Sequence, residues 1–294
     1  MLLPLKYRVF SAKNNKVSDR RKSCGRPNIL CWIFALRTSV ADVICAGKKL
    51  KVYKDSDQLG REAARILFSH LKRAISRRGK AAIVLAGGSS PRGCYRELAL
   101  MLKRNQEVLN RCFWFIGDER WVAEDNPESN ENMIRKVLWE PAGVHGEKIF
   151  SWQAGSGEPA EKALAYEGML KKFFRKLRAP KEPRGPDLVI LGLGEDGHTA
   201  SLFPHGQVID GRGNKRPVAV DLHGLTAAIY VDHLEAYRLS MTAGFLASAA
   251  NIYFIISGSN KKGVLKRVLS REPELPASWL NLKQTSFLVT AETV

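Results

Sequence analysis

A glycine-rich segment, residues 192–204 (GLGEDGHTASLFP), contains the side chains best suited to acid–base chemistry. An imidazole titrates near neutral pH and is the group that most often acts as a general base. A carboxylate two residues before His198, that of Asp196, could orient or polarise the ring. The other five histidines lie in a predicted helix or in connecting segments without such neighbours. We therefore expect His198 to act in catalysis rather than in packing.

A second segment, residues 87–91 (GGSSP), has the composition of an anion-binding loop. Gly87 and Gly88 would let the backbone approach a ligand closely. Ser89 and Ser90 could donate hydrogen bonds at the start of a helix. The alternative is a tight strand-to-helix turn in which a serine caps the helix. No G-K-[ST] follows, so the sequence does not indicate a Walker nucleotide site.

Two cationic side chains could complete an anion site. Arg120 follows an apolar run and two acidic residues (GDER), and its guanidinium fork suits a phosphate or a developing oxyanion. An internal salt bridge is the alternative for this residue. Lys261 follows the apolar run 252–256 at a strand-to-helix junction, and a plain surface lysine is the alternative there. No H-E-x-x-H motif or carboxylate array indicates a catalytic metal.

The elements that position these residues follow from short apolar runs that alternate with amphipathic stretches of helical period. The predicted strands are 50–53, 81–86, 113–116, 187–192, 228–231, 252–256 and 287–289, and the predicted helices are 56–76, 91–103, 129–138, 159–177 and 260–269. This alternation predicts an α/β fold, a mostly parallel sheet with helices on both faces in a modified Rossmann-like, three-layer arrangement. Ligands bind such sheets at the carboxyl ends of the strands, which is where the polar segments fall.

Residues 192–197 (GLGEDG) also match the G-x-G-x-x-G pattern of dinucleotide-binding folds. The context argues against that interpretation, because a Rossmann glycine loop begins a helix and here Pro204 ends the stretch within two turns. The segment also does not lie in the first strand–helix unit of the chain. We therefore expect no nicotinamide cofactor.

Composition predicts a globular chain of one or two domains and excludes disorder as its main state. Of 294 residues, 45% are hydrophobic and 26% are charged. The longest apolar run, residues 29–36, has eight residues, and a membrane-spanning helix needs about 20. The five cysteines form no C-x-x-C pair, which argues against a disulfide scaffold or a structural zinc. A reducing compartment, and hence the cytoplasm, is expected.

The net charge of +18 raises nucleic acid as a partner, but its distribution weakens that interpretation. Residues 1–48 hold ten basic and two acidic residues, so nearly half of the excess lies in the first sixth of the chain. The remaining basic residues are scattered over predicted helix faces. No helix-turn-helix, zinc finger or RNA-binding aromatic motif appears, so we expect no nucleic-acid partner. A positive field would still attract a small phosphorylated substrate.

Residues 1–48 also lack sustained periodicity and are poor in acidic residues. Three interpretations compete: an organelle transit peptide, a secretory signal, and an extension that adds nothing to the fold. No small-residue cleavage site closely follows the apolar run 29–36, which disfavours a secretory signal. We favour an extension and place the α/β domain at residues 49–294, without excluding organelle targeting.

From about residue 50 to the end, the chain resembles the 6-phosphogluconolactonase family, hydrolases of the oxidative pentose phosphate pathway. The matching segments are 86–91 (AGGSSP), 117–122 (GDERWV) with SN at 129–130, 187–204 (DLVILGLGEDGHTASLFP), 238–242 (RLSMT) and 257–261 (SGSNK). The segment around His198 is long and highly specific. The other segments are moderate alone but occur in the family's order.

This resemblance implies hydrolysis of a sugar phosphate lactone without a cofactor. His198 would take a proton from the attacking water and Asp196 would orient its ring. The 6-phosphate would be held by Gly87, Gly88, Ser89, Ser90, Arg120 and Lys261. Whether Arg120 serves the phosphate or the oxyanion stays open. We expect a monomer or a small homo-oligomer, with no membrane partner.

The same fold family includes glucosamine-6-phosphate deaminase/isomerase, which is the alternative enzyme. In that branch the histidine is followed by I-A-F-N-E-P, and the earlier loop contains D-E-Y. This chain has residues 199–204 (TASLFP) without a glutamate and Arg120 in place of the tyrosine. Both differences favour the lactonase.

Overall fold

The computed structural model describes residues 41–45, 48–176, 185–219, 222–280 and 283–294. Its strands are β1 (Ala41–Cys45), β2 (Lys48–Tyr53), β3 (Ala81–Leu85), β4 (Cys112–Ile116), β5 (Asp118–Arg120), β6 (Ile149–Phe150), β7 (Leu188–Leu191), β8 (Gln207–Ile209), β9 (Lys215–Pro217), β10 (Thr226–Val231), β11 (Ala236–Met241), β12 (Ile252–Ile256) and β13 (Thr285–Thr290). Its α-helices are α1 (Ser56–Arg78), α2 (Arg92–Lys103), α3 (Gln106–Leu109), α4 (Asn130–Ile134), α5 (Glu140–Ala142), α6 (Pro159–Lys176), α7 (Ala243–Ala247) and α8 (Lys262–Leu269).

The main sheet has eight strands in the order β1-β2-β13-β12-β7-β3-β4-β6. All neighbouring pairs are parallel except β1 with β2. Strands β3, β7 and β12 consist of buried apolar residues, as expected for strands covered on both faces. The rings of Phe254 and Phe287 stack at a centroid distance of 4.9 Å between neighbouring strands.

Helices cover both faces of this sheet. The connections through α2 and through α4–α5 run toward the β6 edge, whereas those through α6 and α8 run toward the β2 edge. Since parallel crossovers are right-handed, opposite directions place the helices on opposite faces. The ring of Phe173, on α6, contacts Phe113 and Phe115 of β4. The predicted α/β class with a mostly parallel sheet is therefore confirmed.

Helices α1 and α2 cross at a pair of glycines, Gly60 and Gly93. A Cβ atom on Gly60 would lie 2.9 Å from the carbonyl carbon of Gly93. This close approach fixes the position of α2, whose first turn follows the loop 86–91 directly.

A second, antiparallel sheet was not predicted. It has five strands in the order β5-β11-β10-β8-β9. Residues 228–231, expected in the parallel sheet, belong to it as part of β10. A short apolar run indicates a buried strand but does not reveal its partners, so periodicity could not separate the two sheets.

The predicted domain start at residue 49 differs from the structure in one detail. Strand β1, within residues 1–48, pairs antiparallel with β2 and extends the main sheet by one edge strand. Residues 1–40 lie outside the described residues, so their assignment as an extension stays a prediction. No α-helix among the described residues combines the length and apolar content needed to cross a membrane.

Candidate active site

The polar segments singled out in the sequence lie at the carboxyl ends of parallel strands. Residues 86–91 follow β3, residues 192–204 follow β7, and residues 257–261 follow β12. Arg120 ends β5, which begins two residues after β4 ends. Because β12, β7, β3 and β4 are neighbours in this order, the segments share one edge of the sheet.

Asp196 holds the imidazole of His198 at this edge. Oδ1 of Asp196 lies 2.6 Å from Nδ1 of the ring and accepts the backbone N–H of His198 at 3.1 Å. Burial would raise the pKa of Asp196, but the hydrogen bond and charge of His198 outweigh it and leave this pKa below its ordinary value. An ionised Asp196 keeps the proton on Nδ1 and the lone pair on Nε2. The His198 side chain is 31% exposed, so part of the ring faces solvent.

The local chain packs closely around this pair. A Cβ atom on Gly194 would lie 2.1 Å from Nδ1 of His198, so the ring occupies the space that a larger residue would fill. The backbone N–H of Gly194 donates to the carbonyl of His198 at 2.9 Å, which closes the turn. On its other side the imidazole stacks on Phe203 at a centroid distance of 4.2 Å. These contacts fix one ring orientation. No helix begins in this segment, as the position of Pro204 predicts.

Asp118, a residue not predicted as part of the site, connects this loop to the antiparallel sheet. Its Oδ2 accepts a hydrogen bond from the Ser201 hydroxyl at 2.8 Å and a longer one from the Asn130 amide at 3.3 Å. The backbone N–H of Ser201 donates to Oγ of Ser240 on β11 at 3.2 Å. Burial raises the pKa of Asp118, while Ser201 and the charges of Arg120, His198 and Arg238 oppose the rise. This carboxyl therefore lies in the field of three cationic or basic groups.

Glu119 holds the end of β5 against helix α4. Its carboxylate accepts the backbone N–H groups of Arg120, Asn130 and Glu131 at 2.7 to 2.8 Å. The hydroxyl of Ser129, the N-cap residue of α4, donates to it at 3.1 Å. Burial raises its pKa, and the three backbone hydrogen bonds oppose the rise. Glu119 thus stabilises the N-terminus of α4, where a carboxylate is favourable.

Arg120 forms no salt bridge with the acidic residues that precede it among the described ion pairs. Among the ion pairs of the described residues, none joins its guanidinium to Asp118 or Glu119. Its Nη1 donates to the carbonyl of Glu128. Directly across the strand pair stands Arg238 of β11, which the sequence analysis did not assign to the site.

The loop 86–91 is an open backbone turn at this edge. A Cβ atom on Gly87 would lie 1.7 Å from Oδ1 of Asn130, so only glycine permits the contact of this loop with α4. Gly88 has a φ of 87°, a left-handed conformation that glycine adopts without strain. Gly88 and Ser89 are exposed. Ser90 does not cap α2, as the alternative interpretation of this loop would require; its Oγ lies 3.1 Å from that of Ser257.

Lys261 belongs to the loop after β12, whose Ser257 contacts Ser90 of the loop 86–91. Its Nζ is 3.7 Å from Oε1 of Glu195, and the Asn260 amide donates to the same carboxylate oxygen at 2.6 Å. The Lys261 side chain is 19% exposed, so it is more than a plain surface lysine. Glu195 connects the loop that follows β12 to the loop of His198.

The predicted residues thus share one edge, and we divide them into two groups that contacts connect, since Gly87 packs against Asn130, whose amide donates to Asp118, and Lys261 pairs with Glu195 in the loop of His198. The first, which we call the imidazole end, contains His198, Asp196 and Arg120, together with Asp118 and Arg238. The second, which we call the serine–lysine end, contains Gly87, Gly88, Ser89, Ser90 and Lys261. The pairing of β5 with β11 brings Arg238 beside Arg120 and Asp118. Since the two strands are far apart in the sequence, no local pattern predicts this arrangement.

Comparison with known proteins identifies relatives along most of the chain. The sequence profile of the family described as glucosamine-6-phosphate isomerases/6-phosphogluconolactonase matches residues 54–289. A 6-phosphogluconolactonase of Nostoc sp. is 31% identical over 224 residues, which cover 76% of this chain and 85% of that protein. A 6-phosphogluconolactonase of Mycobacterium leprae is 27% identical over 260 residues, 83% of this chain and 96% of that protein.

Solved structures share the fold. A 6-phosphogluconolactonase from Thermotoga maritima superposes with a TM-score of 0.65 at 23% identity and covers 82% of this chain and 98% of its own. One from Plasmodium vivax gives a TM-score of 0.68 at 21% identity, with coverage of 83% and 91%. The match over residues 54–289 includes every strand that carries the two groups of residues. The chain therefore belongs to the family of glucosamine-6-phosphate isomerases and 6-phosphogluconolactonases.

Proposed function

We propose that this chain hydrolyses 6-phospho-D-glucono-1,5-lactone to 6-phospho-D-gluconate, a step of the oxidative pentose phosphate pathway. The observation that carries the proposal is the 2.6 Å contact between His198 and Asp196 at the sheet edge where ligands bind. Relatives named 6-phosphogluconolactonase over most of the chain support it. Residues 199–204, which lack the glutamate of the deaminase branch, favour hydrolysis over deamination.

The proposed reaction needs only side chains and water. Nε2 of His198 takes a proton from a water molecule as the water oxygen forms a bond to C1 of the lactone. The bond between C1 and the ring oxygen then breaks, and the imidazolium returns the proton to that oxygen, which leaves as a hydroxyl. The new carboxylic acid loses its proton to solvent. A positioned base of this kind contributes roughly 10²- to 10⁴-fold in rate.

Asp196 supports the base in two ways. Its ionised carboxylate keeps the proton of the neutral ring on Nδ1, so that Nε2 presents a lone pair to water. The same charge stabilises the imidazolium that forms during attack. Stacking on Phe203 and the tight fit against Gly194 hold the ring in this orientation.

The 6-phosphate is proposed to bind at the serine–lysine end. The exposed backbone of Gly88 and Ser89 and the hydroxyl of Ser90 would donate to phosphate oxygens, and Lys261 would supply the positive charge. These contacts lie away from the reacting carbon, so their binding energy orients the ester toward His198.

The test is a lactonase assay on the full chain. Purified protein should accelerate acid release from freshly made 6-phospho-D-glucono-1,5-lactone above the spontaneous rate, and His198→Ala should lose most of the acceleration. A rate equal to the spontaneous one would overturn the proposal. Release of ammonia from glucosamine 6-phosphate would instead support the deaminase.

Four other expectations accompany this proposal. They are a cytoplasmic location, a monomer or small homo-oligomer, the absence of a nucleic-acid partner, and the assignment of residues 1–48 as an extension. A lactonase assay on a chain that begins near residue 49 would test the last of these together with the chemistry.

A further inference from the structure

Arg238 is not used in the proposed chemistry, yet it lies directly opposite Arg120. The register of β5 and β11 pairs these two residues, and one residue further it pairs Leu239 with Glu119. Residues that are directly opposite in an antiparallel pair project from the same face of the sheet. The two guanidinium groups are therefore neighbours on one face.

This face of the antiparallel sheet is the one that contacts the loop of His198. Alternation along the strands places Asp118, Arg120, Arg238 and Ser240 on it. Ser240 accepts the backbone N–H of Ser201, and Ser201 in turn donates to Asp118. The opposite face packs on α6, where the Thr226 hydroxyl donates to the carbonyl of Ala163.

The charges on this face do not balance. Like charges directly opposite each other destabilise a strand pair. Of the described strand residues on this face, Asp118 is the one carboxylate, and it is shared with the loop of His198. Glu119 projects from the other face and caps α4. On the pair β5 and β11, two guanidinium groups face this one strand carboxylate, so an anionic ligand between them would reduce the excess positive charge.

Burial, like the repulsion between the two arginines, disfavours the charged form of Arg238. Arg238 is half-buried, and burial and the neighbouring charge of Arg120 lower its pKa. The charges of Asp118, Glu128 and Glu119 oppose this shift. An anion bound between the two guanidinium groups would relieve their repulsion, and partly buried guanidinium groups bind oxyanions more strongly than exposed ones.

We propose that Arg238 is a substrate-binding residue and that, with Arg120, it binds the negative charge that forms at C1 of the sugar. This inference rests on the proposed function and identifies the residues that contact the reacting carbon of the substrate. The charge is first that of the tetrahedral oxyanion and then that of the product carboxylate. The location follows from Ser201 in the loop of His198, which hydrogen-bonds to Asp118 and Ser240 on the face that carries Arg120 and Arg238. The phosphate is left to the serine–lysine end.

Two ligands that differ only at C1 test this inference. The product, 6-phosphogluconate, carries a carboxylate there, whereas glucitol 6-phosphate carries a neutral CH₂OH group and the same phosphate. Binding of both would be measured by calorimetry on the full chain and on the variants Arg238→Gln and Arg238→Lys. Arg216→Gln is the matched control, because Arg216 projects from the same face in the same cross-strand row but at the far edge.

The wild-type chain should bind 6-phosphogluconate more tightly than glucitol 6-phosphate. Arg238→Gln should weaken the binding of 6-phosphogluconate about tenfold or more, because a charge-assisted hydrogen bond is lost. The affinity for glucitol 6-phosphate should stay unchanged. Arg238→Lys should fall between, because it keeps the charge but not the guanidinium fork. Arg216→Gln should alter neither ligand.

Two results would overturn the inference. Equal weakening of both ligands by Arg238→Gln would place Arg238 at the phosphate or in a purely structural role. No weakening of either ligand by a folded variant would remove Arg238 from the site. A wild-type chain that bound neither ligand would instead overturn the proposed function, so the two failures are distinguishable.

Discussion

The hydroxyl of Ser201 donates a hydrogen bond of 2.8 Å to the buried carboxyl of Asp118. Ser201 lies in the loop after β7 of the main sheet, whereas Asp118 is the first residue of β5 in the antiparallel sheet. This contact links the loop of His198 to the strand that carries Arg120. The protonation of Asp118 therefore concerns both stability and chemistry.

We expect Asp118→Asn to change the pH dependence of stability. Burial raises the pKa of Asp118 in the folded state, so the fold binds this proton more tightly than the unfolded chain does. The wild-type free energy of unfolding gains from this group as pH falls through the raised pKa, and the variant does not. The difference, variant minus wild type, should be most positive near pH 7 and should shrink as pH falls toward 4.

Urea unfolding at several pH values measures this difference. Asp210→Asn is a control of opposite sign, because hydrogen bonds from Asn214 and Arg212 lower the pKa of this exposed carboxyl. Its wild-type contribution is present at neutral pH and is lost as pH falls through the lowered pKa. A pH-independent difference for Asp118→Asn would contradict the prediction.

We expect Gly194→Ala to reduce activity with little loss of stability. The added Cβ would lie 2.1 Å from Nδ1 of His198 and 2.6 Å from Oδ1 of Asp196, so both side chains must move toward solvent. Misplacement of a catalytic group by about 1 Å can cost on the order of 100-fold, so we expect kcat to fall about 10- to 100-fold.

Gly192→Ala is the matched control, since a Cβ there would meet nothing within 4 Å. Steady-state kinetics and thermal unfolding of both variants give the comparison. If Gly194→Ala kept the wild-type kcat, the His198–Asp196 geometry would not be essential to the reaction.

We expect Asp196→Asn to lower kcat by roughly 10²- to 10⁴-fold with a small change in KM. An amide can donate to Nδ1 and thereby favour the ring tautomer that carries its proton on Nε2, where the lone pair is needed. Initial rates on fresh lactone measure the effect. His205→Asn, at an exposed residue of the same segment with a φ of 64° that asparagine tolerates, should leave kcat near the wild-type value.

We expect Gly60→Ala to destabilise the fold by about 1–3 kcal/mol, because the new methyl group would overlap the backbone of Gly93 where α1 crosses α2. Gly168→Ala, in α6 with open space around it, should stabilise by about 0.5–1 kcal/mol through helix propensity. Thermal unfolding of the pair would measure both. A stabilising Gly60→Ala would show that the two helices separate easily.

The sequence predicts the main sheet well because its strands are apolar on both faces. The runs that form β3, β4, β7, β12 and β13 are recognisable without knowledge of their partners. The antiparallel sheet is not predicted because β5, β8 and β9 have only three residues each, too few for period-two alternation to show, and β5 and β9 are also polar. The pattern predicts a strand at residues 228–231, but the structure places it in the antiparallel sheet as part of β10.

The candidate site divides in the same way. His198, Asp196, Lys261 and the loop 86–91 are found from local pattern, since each follows an apolar strand. Arg238 enters only through its register with Arg120, which is a property of two distant segments. The contact of Ser90 with Ser257, in place of a helix cap, likewise depends on a segment distant in the sequence, the loop after β12.

The guanidinium pair lies on two adjacent strands of the small sheet, whereas the proposed phosphate contacts come from loops of the large one. Substitution of one or two residues on β5 and β11 would therefore change the charge near C1 without altering the residues that bind the phosphate. A scaffold divided in this way can diversify its chemistry and retain its sugar phosphates. That separability fits a family whose description names both isomerases and lactonases.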